Sequence, residues 1–327
     1  MMTIAADRRS VLTMGLAAGA ALATPQLMMR AAQAKAPSSQ VGNPGFNRFR
    51  LGAFEITAIN DGTRPGDGIH TIFGVDRDEA EVSALLEENF LPADRFVNSF
   101  TPALVNTGSD LVLFDTGLGA GAREGGLGQL RARLEASGYT PGDVTIVVLT
   151  HFHGDHIGGL MEGGEPAFPN ARYVTGQAEY DFWTADERQS GPTENAARGV
   201  QANVVPLAEK TTFIGDGDAV IPGVTGMLAA GHTPGHMIFH LESEGRRLLL
   251  TADTSNHYVA SLRRPDWHVS FDMDKEAGAA TSTRVFDMVA AERIPFLGYH
   301  MPFPAVGFIE KLDVGYRFVP ASYQFLL

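Results

Sequence analysis

Residues 149–159 read LTHFHGDHIGG, and positions 151–156 alone hold three of the chain's ten histidines together with an aspartate. Imidazoles crowded this closely cannot all be protonated, because like charges in contact repel. A metal ion removes the conflict, since neutral imidazole nitrogen and carboxylate oxygen are natural ligands. His151 and His153 are one residue apart, so in an extended turn both rings point the same way while Phe152 points into the core. Asp155 and His156 follow where a helix would begin and aim at a neighbouring point. Gly158 and Gly159 keep the backbone small where it must pack closely. The segment therefore contributes to two sites and completes neither, because a hydrolytic zinc takes about three protein ligands plus water. The chemistry this favours is metal-assisted hydrolysis; no Ser or Cys triad stands out as a rival.

The missing ligands must come from elsewhere, and the strand pattern supplies them. DLVLFDTG is a buried apolar strand ending on Asp115, and DVTIVVLT runs directly into His151. GVTGMLAAGHTPGHMIFHLES carries His232 and His236 between two strands, RRLLLTADT ends on Asp253, and the last such strand ends on His300. Loops at one end of a sheet converge on a common crevice. His232, Asp253 and His300 are thus placed to complete the set begun at His151. Leu127, Leu130 and Leu134 sit at helical spacing before Gly138, and STRVFDMVAAER reads as a further helix. Strands and helices mixed in this order imply a layered α/β sandwich. ARYVTG is a strand leading into EYDFW, where Trp183 is a candidate for lining an apolar cleft. Residues 184–200 are polar and read as a surface loop or short helix, while His257, four residues past Asp253, is within reach of a substrate pocket.

Composition narrows the partners. The chain has 327 residues, 44% of them hydrophobic, with a formal net charge of −13 and no basic run. That balance is a poor match for nucleic acid or an anionic membrane surface. With no cysteine there are neither disulfides nor thiolate ligands, so any metal is held by nitrogen and oxygen. Residues 1–34 read as an export leader of twin-arginine type: Arg8 and Arg9 precede a weakly apolar stretch, and AQA at 32–34 offers a cleavage site. Its removal leaves 22 basic against 37 acidic residues, net −15, and places the product in the periplasm with no membrane span. Residues 35–327 then form a single catalytic domain. The apolar segments near 69–104 are candidates for a lid or for the face of a homodimer.

HxHxDH at 151–156, GHTPGH at 231–236, Asp253, His300 in GYHMPFP and Asp115 in LVLFDTG together resemble the metallo-β-lactamase superfamily of dinuclear hydrolases. The resemblance covers roughly residues 50–327, and it implies a four-layer αββα sandwich. Carried over position by position, it implies that His151, His153 and His232 hold one ion, and that Asp155, His156 and His300 hold a second. Asp253 would bridge the two, with Asp115 orienting the ligand-bearing loop; His236, by its own place in GHTPGH beside His232, is read as locking its loop by hydrogen bonds. Two Zn2+ ions are implied, with Mn, Co or Fe as other divalent occupants. A hydroxide shared by the ions would attack the substrate while Asp155 orients it and passes on its proton. The leader, NTGSDLVLFDTG, GHTPGHMIFHLES and the C-terminal run resemble the methyl parathion hydrolase and exported lactonase-like subfamily. The polar and basic TADTSNHYVASLRRPDW departs from the phosphotriesterases, so neutral carboxylic esters or lactones are the expected substrates, with phosphotriester turnover as a side activity. The alternatives are a zinc β-lactamase of the all-histidine subclass, which would share every ligand, and a non-catalytic periplasmic metal-binding protein.

Overall fold

The strand segments assemble into two seven-stranded sheets, each ordered in space as it is in the chain. The structure, a computed structural model, describes residues 43–326; the leader expected at 1–34 lies outside them. In the first sheet, Leu111–Phe114, Ile146–Leu149, Arg172–Gly176 and Thr211–Ile214 run parallel to one another. Parallel strands bring their C-terminal ends to one edge, and Asp115 and the 151–156 segment emerge there together. In the second sheet, Arg246–Ala252 and Phe296–Gly298 are parallel, so Asp253 and His300 also leave from a shared end. Met237–Ser243 runs antiparallel to Arg246–Ala252, which brings the start of that strand, and the 231–236 loop before it, to the same place. One hydrogen bond joins the two edges, Met237 N donating to Thr150 O at 2.9 Å.

Side-chain alternation along the strands decides the layers. Val105, Val112, Val148 and Val174 face the second sheet and meet Phe239, Leu241 and Leu250 in a shared core. Their neighbours Leu104, Leu113, Val147 and Tyr173 face the other way, onto Leu130 and Leu134 of one helix and Ala197 and Val200 of another. On the far side, the helix Lys275–Glu292 lays Val285, Phe286 and Val289 against the second sheet. It starts where the Asp274 carboxylate accepts the Ala277 N–H at 2.9 Å and ends at Arg293 in the left-handed conformation, both ordinary end signals. The result is the four-layer αββα sandwich. Each fully buried Leu, Ile or Phe contributes about 1.5–3 kcal/mol over leaving it exposed.

Some elements differ from the expectation. The helix anticipated from Leu127 begins only at Leu130, because Gly126 and Gly128 take φ of 79° and 65° and break the approach to it. The 184–200 stretch resolves into short 3-10 turns and the helix Glu194–Asn203, whose Ala197 and Val200 are buried. Between the second and third strands of the first sheet, the chain inserts the hairpin Gly62–Asp67 with Arg95–Phe100 and the helix Glu79–Glu88. This insertion has its own small core, in which Ile69, Phe73, Val82 and Leu86 pack on Val259, Trp267 and Val269. No described helix is long and apolar enough to cross a membrane.

Candidate metal centre

Seven side chains from four loops meet at the shared edge. His151, His153 and His232 offer ligand atoms within 4.8 Å of one another, and Asp155, His156, Asp253 and His300 form a second such group. The Asp253 carboxylate stands between the groups: Oδ2 lies 3.2 Å from His232 Nε2 and 3.0 Å from His300 Nε2, and Oδ1 lies 3.1 Å from His156 Nε2. His153 Nδ1 is 2.9 Å from His232 Nε2 and 3.1 Å from His151 Nε2. Every residue assigned to the cluster from the sequence is therefore within reach of a common pair of points.

The outward-facing ring atoms explain which nitrogens turn inward. His156 Nδ1 is 2.9 Å from Asp115 Oδ2, His232 Nδ1 is 2.8 Å from Asp272 Oδ1, and His300 Nδ1 donates to Ser99 O at 2.8 Å. Each of these partners is an acceptor, so each Nδ1 carries hydrogen and each Nε2 can offer a lone pair to the centre. The fit to cations follows from what this leaves behind. His156 Nε2 and Asp253 Oδ1 are sealed from solvent and, though 3.1 Å apart, make no aligned hydrogen bond with each other or with any other group, and leaving such buried atoms unpaired costs about 1–3 kcal/mol each. Nitrogen and carboxylate oxygen donors aimed at one another, with no sulfur, suit zinc and other divalent ions.

The electrostatics point the same way. Burial pushes His153 down to about 3 and His151 well below the ordinary imidazole range, so both are neutral. Burial also works against a charged His232, but its hydrogen bonds to Asp253 and Asp272 outweigh that and raise it to about 9. His156 behaves similarly: burial opposes the proton, and Asp253 and Asp115 hold it well above the usual value. The cluster thus carries more negative charge than it can leave uncompensated, and cations of either kind, protons or metal, answer it.

The backbone is held to this shape at some cost. Asp115 and Ala252 adopt φ of 61° and 42°, a conformation that non-glycine residues avoid and that clusters at functional sites. A Cβ on Gly158 or Gly159 would strike the carbonyls of Leu118 and Thr116, so the small backbone expected after the HxHxDH segment is required there. Asp115 also accepts the Thr150 N–H at 2.9 Å and thereby pins the residue before His151. His236 locks its loop, Nδ1 meeting Ala229 O at 3.1 Å and Nε2 accepting the Asp253 N–H at 3.1 Å.

Sequence reasoning missed several supports. Glu179, fully buried, accepts from Phe152 N, Trp183 Nε1, Thr233 Oγ1 and Gly235 N. Its two oxygens tie the 151–153 segment to the 231–236 loop. Asp272 orients His232, and Asp61 accepts the N–H groups of Leu118 and Leu130 at 2.9 and 2.7 Å. Tyr299 stacks on His156 with ring centroids 3.9 Å apart. Only Tyr299, adjacent to His300, carried a local signal. Trp183 departs from its expected place. It is buried in the helix-side core with its indole N–H on Glu179, 6.3 Å from the His153 ring, and is not among the residues lining the cleft.

Over the cluster opens a cleft of about 360 Å³ whose wall includes Arg64, Asn98 and Phe100 from the inserted hairpin together with Leu118 and Phe271. A model of the metallo-beta-lactamase superfamily matches residues 101–293. The chain belongs to that superfamily. An N-acyl homoserine lactonase of Bacillus cereus is 32% identical over 167 residues, 51% of this chain and 60% of the relative. The chain spans about half the length of the curated lactonases it matches. Among solved structures, AidC, a dizinc quorum-quenching lactonase in complex with a product, superposes with a TM-score of 0.76 at 26% identity, covering 85% of this chain and 98% of AidC. AbOPH, a hydrolase of the same superfamily, gives a TM-score of 0.78 at 26% identity, covering 87% and 99%.

Proposed function

We propose that this protein hydrolyses neutral lactones, with His151, His153 and His232 holding one divalent ion, Asp155, His156 and His300 a second, and Asp253 between them. The observation that carries the reading is the convergence of these seven side chains at the base of an open cleft, which His153, Asp155, His232, Asp253 and His300 line and beneath which His151 and His156 are buried. When bound, a pair of divalent ions supplies a Lewis acid for the carbonyl oxygen and lowers the pKa of a water from about 15.7 towards 7. The chain's own groups do the rest. The Nδ1 partners Asp115, Asp272 and Ser99 O fix the imidazoles of His156, His232 and His300 in one orientation, so these ligands need not reorganise during the reaction. Asp155, half-buried with one oxygen 3.6 Å from both His156 Nε2 and His300 Nε2, takes a proton from the attacking water. It returns that proton to the ring oxygen as the carbon–oxygen bond breaks. Arg64, at the mouth of the cleft, favours a product that gains a carboxylate.

Zinc is the ion we favour on the donor set, and the likeness to lactonases supports a lactone over an aryl ester, a phosphotriester or a cephem. One sample decides this: metal content by mass, followed by initial rates on all four substrate types. Two equivalents of zinc with lactone turnover leading is the expected result. A leading phosphotriester or cephem would overturn the substrate assignment, and no turnover on any of them would favour a metal-binding role. We also infer periplasmic export from Arg8, Arg9 and the AQA segment. Replacing both arginines with lysine is expected to retain the protein in the cytoplasmic fraction.

A further inference from the structure

Asp272, the partner of His232, also lines a small pocket of about 10 Å³ bounded by the helix Lys275–Glu292 and the segment that follows Asp253. The space suits about one water molecule. Among the described residues, seven buried side-chain N or O atoms lack a hydrogen-bond partner, and four of them belong to residues lining this one pocket: Ser255 Oγ, Ser261 Oγ, Trp267 Nε1 and Ser282 Oγ. All four residues are buried. A native core tolerates an occasional unmet polar atom, but four around one small space call for a polar guest.

The chemistry of the wall selects that guest. The Trp267 indole N–H only donates, so it turns away a bare cation. The Asp272 carboxylate only accepts and turns away an anion; its Oδ1 holds His232 Nδ1 at 2.8 Å, and its Oδ2 lies towards Gly278, another lining residue, whose added Cβ would stand 2.5 Å from it. Water both accepts and donates. Serine hydroxyls rotate to meet either need, and an ordered buried water makes about three hydrogen bonds.

We propose that this pocket holds one ordered water, which accepts the Trp267 indole N–H, donates to Asp272 and takes its remaining bonds from among the three serine hydroxyls. Trp267 is buried in the small core of the insertion, so the water couples that core through Asp272 to His232. Trp267, Ser255, Ser261 and Ser282 are on this account positioning residues, acting through the water. The water itself is independent of the lactonase reading, whereas its effect on the centre rests on His232 as a metal ligand.

The chain's two tryptophans make the water directly observable. Nitrogen-15 labelling of the indoles in the zinc-loaded full chain gives two signals, and Trp267→Phe identifies which is which. A water-selective nuclear Overhauser spectrum is expected to show a long-lived water contact at the Trp267 N–H, with Trp183, whose N–H donates to Glu179 at 2.8 Å, as the dry reference. Ser282→Val, which sets a methyl group into the pocket, is expected to lose that cross-peak. It is also expected to raise the zinc Kd roughly threefold to tenfold, short of the 10–100-fold usual when a ligand's direct partner is replaced. Ser282→Ala leaves the space open and is expected to keep both the cross-peak and near-normal zinc affinity. A wild-type spectrum without the Trp267 contact overturns the proposal, and so does a contact that survives Ser282→Val. Loss of the contact with unaltered zinc affinity leaves the water but removes the positioning role. A chain that holds no zinc sinks the metal-centre reading, while the spectrum of the zinc-free protein still decides the water.

Discussion

The buried Glu179 carboxylate accepts the backbone N–H of Phe152 at 2.9 Å, between two histidines of the cluster. Through its other oxygen it also accepts from Thr233 Oγ1 at 2.7 Å and Gly235 N at 3.0 Å. Two loops far apart in sequence are thereby held to one anion. Burial pushes the carboxyl's pKa up while these three donors and the Trp183 indole N–H pull it down. Glu179→Gln keeps the shape but sets an NH2 against groups that all donate. We expect a loss of about 1–3 kcal/mol in unfolding free energy together with weaker metal retention, read by chemical denaturation and by metal content after gel filtration. Unchanged values for both would show that the loops hold their positions without this link.

The Asp253 carboxylate lies within contact distance of both histidine groups, with His232 on one side and His156 and His300 on the other. Asp253→Ala is expected to lose metal and rate together, falling below two ions per chain with kcat down by at least about a hundredfold, a fall of 2.7 kcal/mol or more on the scale of about 1.36 kcal/mol per decade. Full activity in that variant would remove the bridging role.

Asp272 acts on the centre only through His232, whose Nδ1 it holds at 2.8 Å. Replacing such a partner usually costs about 10–100-fold in metal affinity or activity. Asp272→Asn should therefore need more zinc to reach half-maximal rate, with a near-normal rate at saturation. Titration of the metal-stripped protein measures both. A lowered plateau with unaltered zinc affinity would contradict the assignment.

Glu162 is held at about 2 by its hydrogen bonds to Arg123 and Arg131. The folded value lies below the unfolded one, so this pairing contributes stability above the unfolded pKa and loses it as pH falls towards about 2. The groups are partly exposed and screened by solvent, which limits the contribution at neutral pH to about 0.2–1 kcal/mol. Glu162→Gln should thus melt slightly below wild type at neutral pH, with the gap closing through the acid range. A gap independent of pH would place its cause elsewhere.

Much of the centre was legible before any fold was known. HxHxDH at 151–156 concentrates ligand types so densely that only a metal makes chemical sense of it, and the apolar strands ending on Asp115, Asp253 and His300 imply convergence because strand ends share an edge. The layered architecture follows from the same alternation and order. The supports were a different matter. Glu179, Asp272 and Asp61 look like ordinary surface acids in sequence; their burial against backbone N–H groups or a histidine exists only once the sheets have packed. Trp183 shows the converse, an aromatic whose sequence context suited a cleft but whose indole N–H found its acceptor in the core. Composition and spacing determined which atoms can bind a cation, since that is a property of residue type. Tertiary packing alone decided which nitrogen of each ring faces inward and what lines the cleft over the cluster, because these depend on contacts between segments with no sequence proximity.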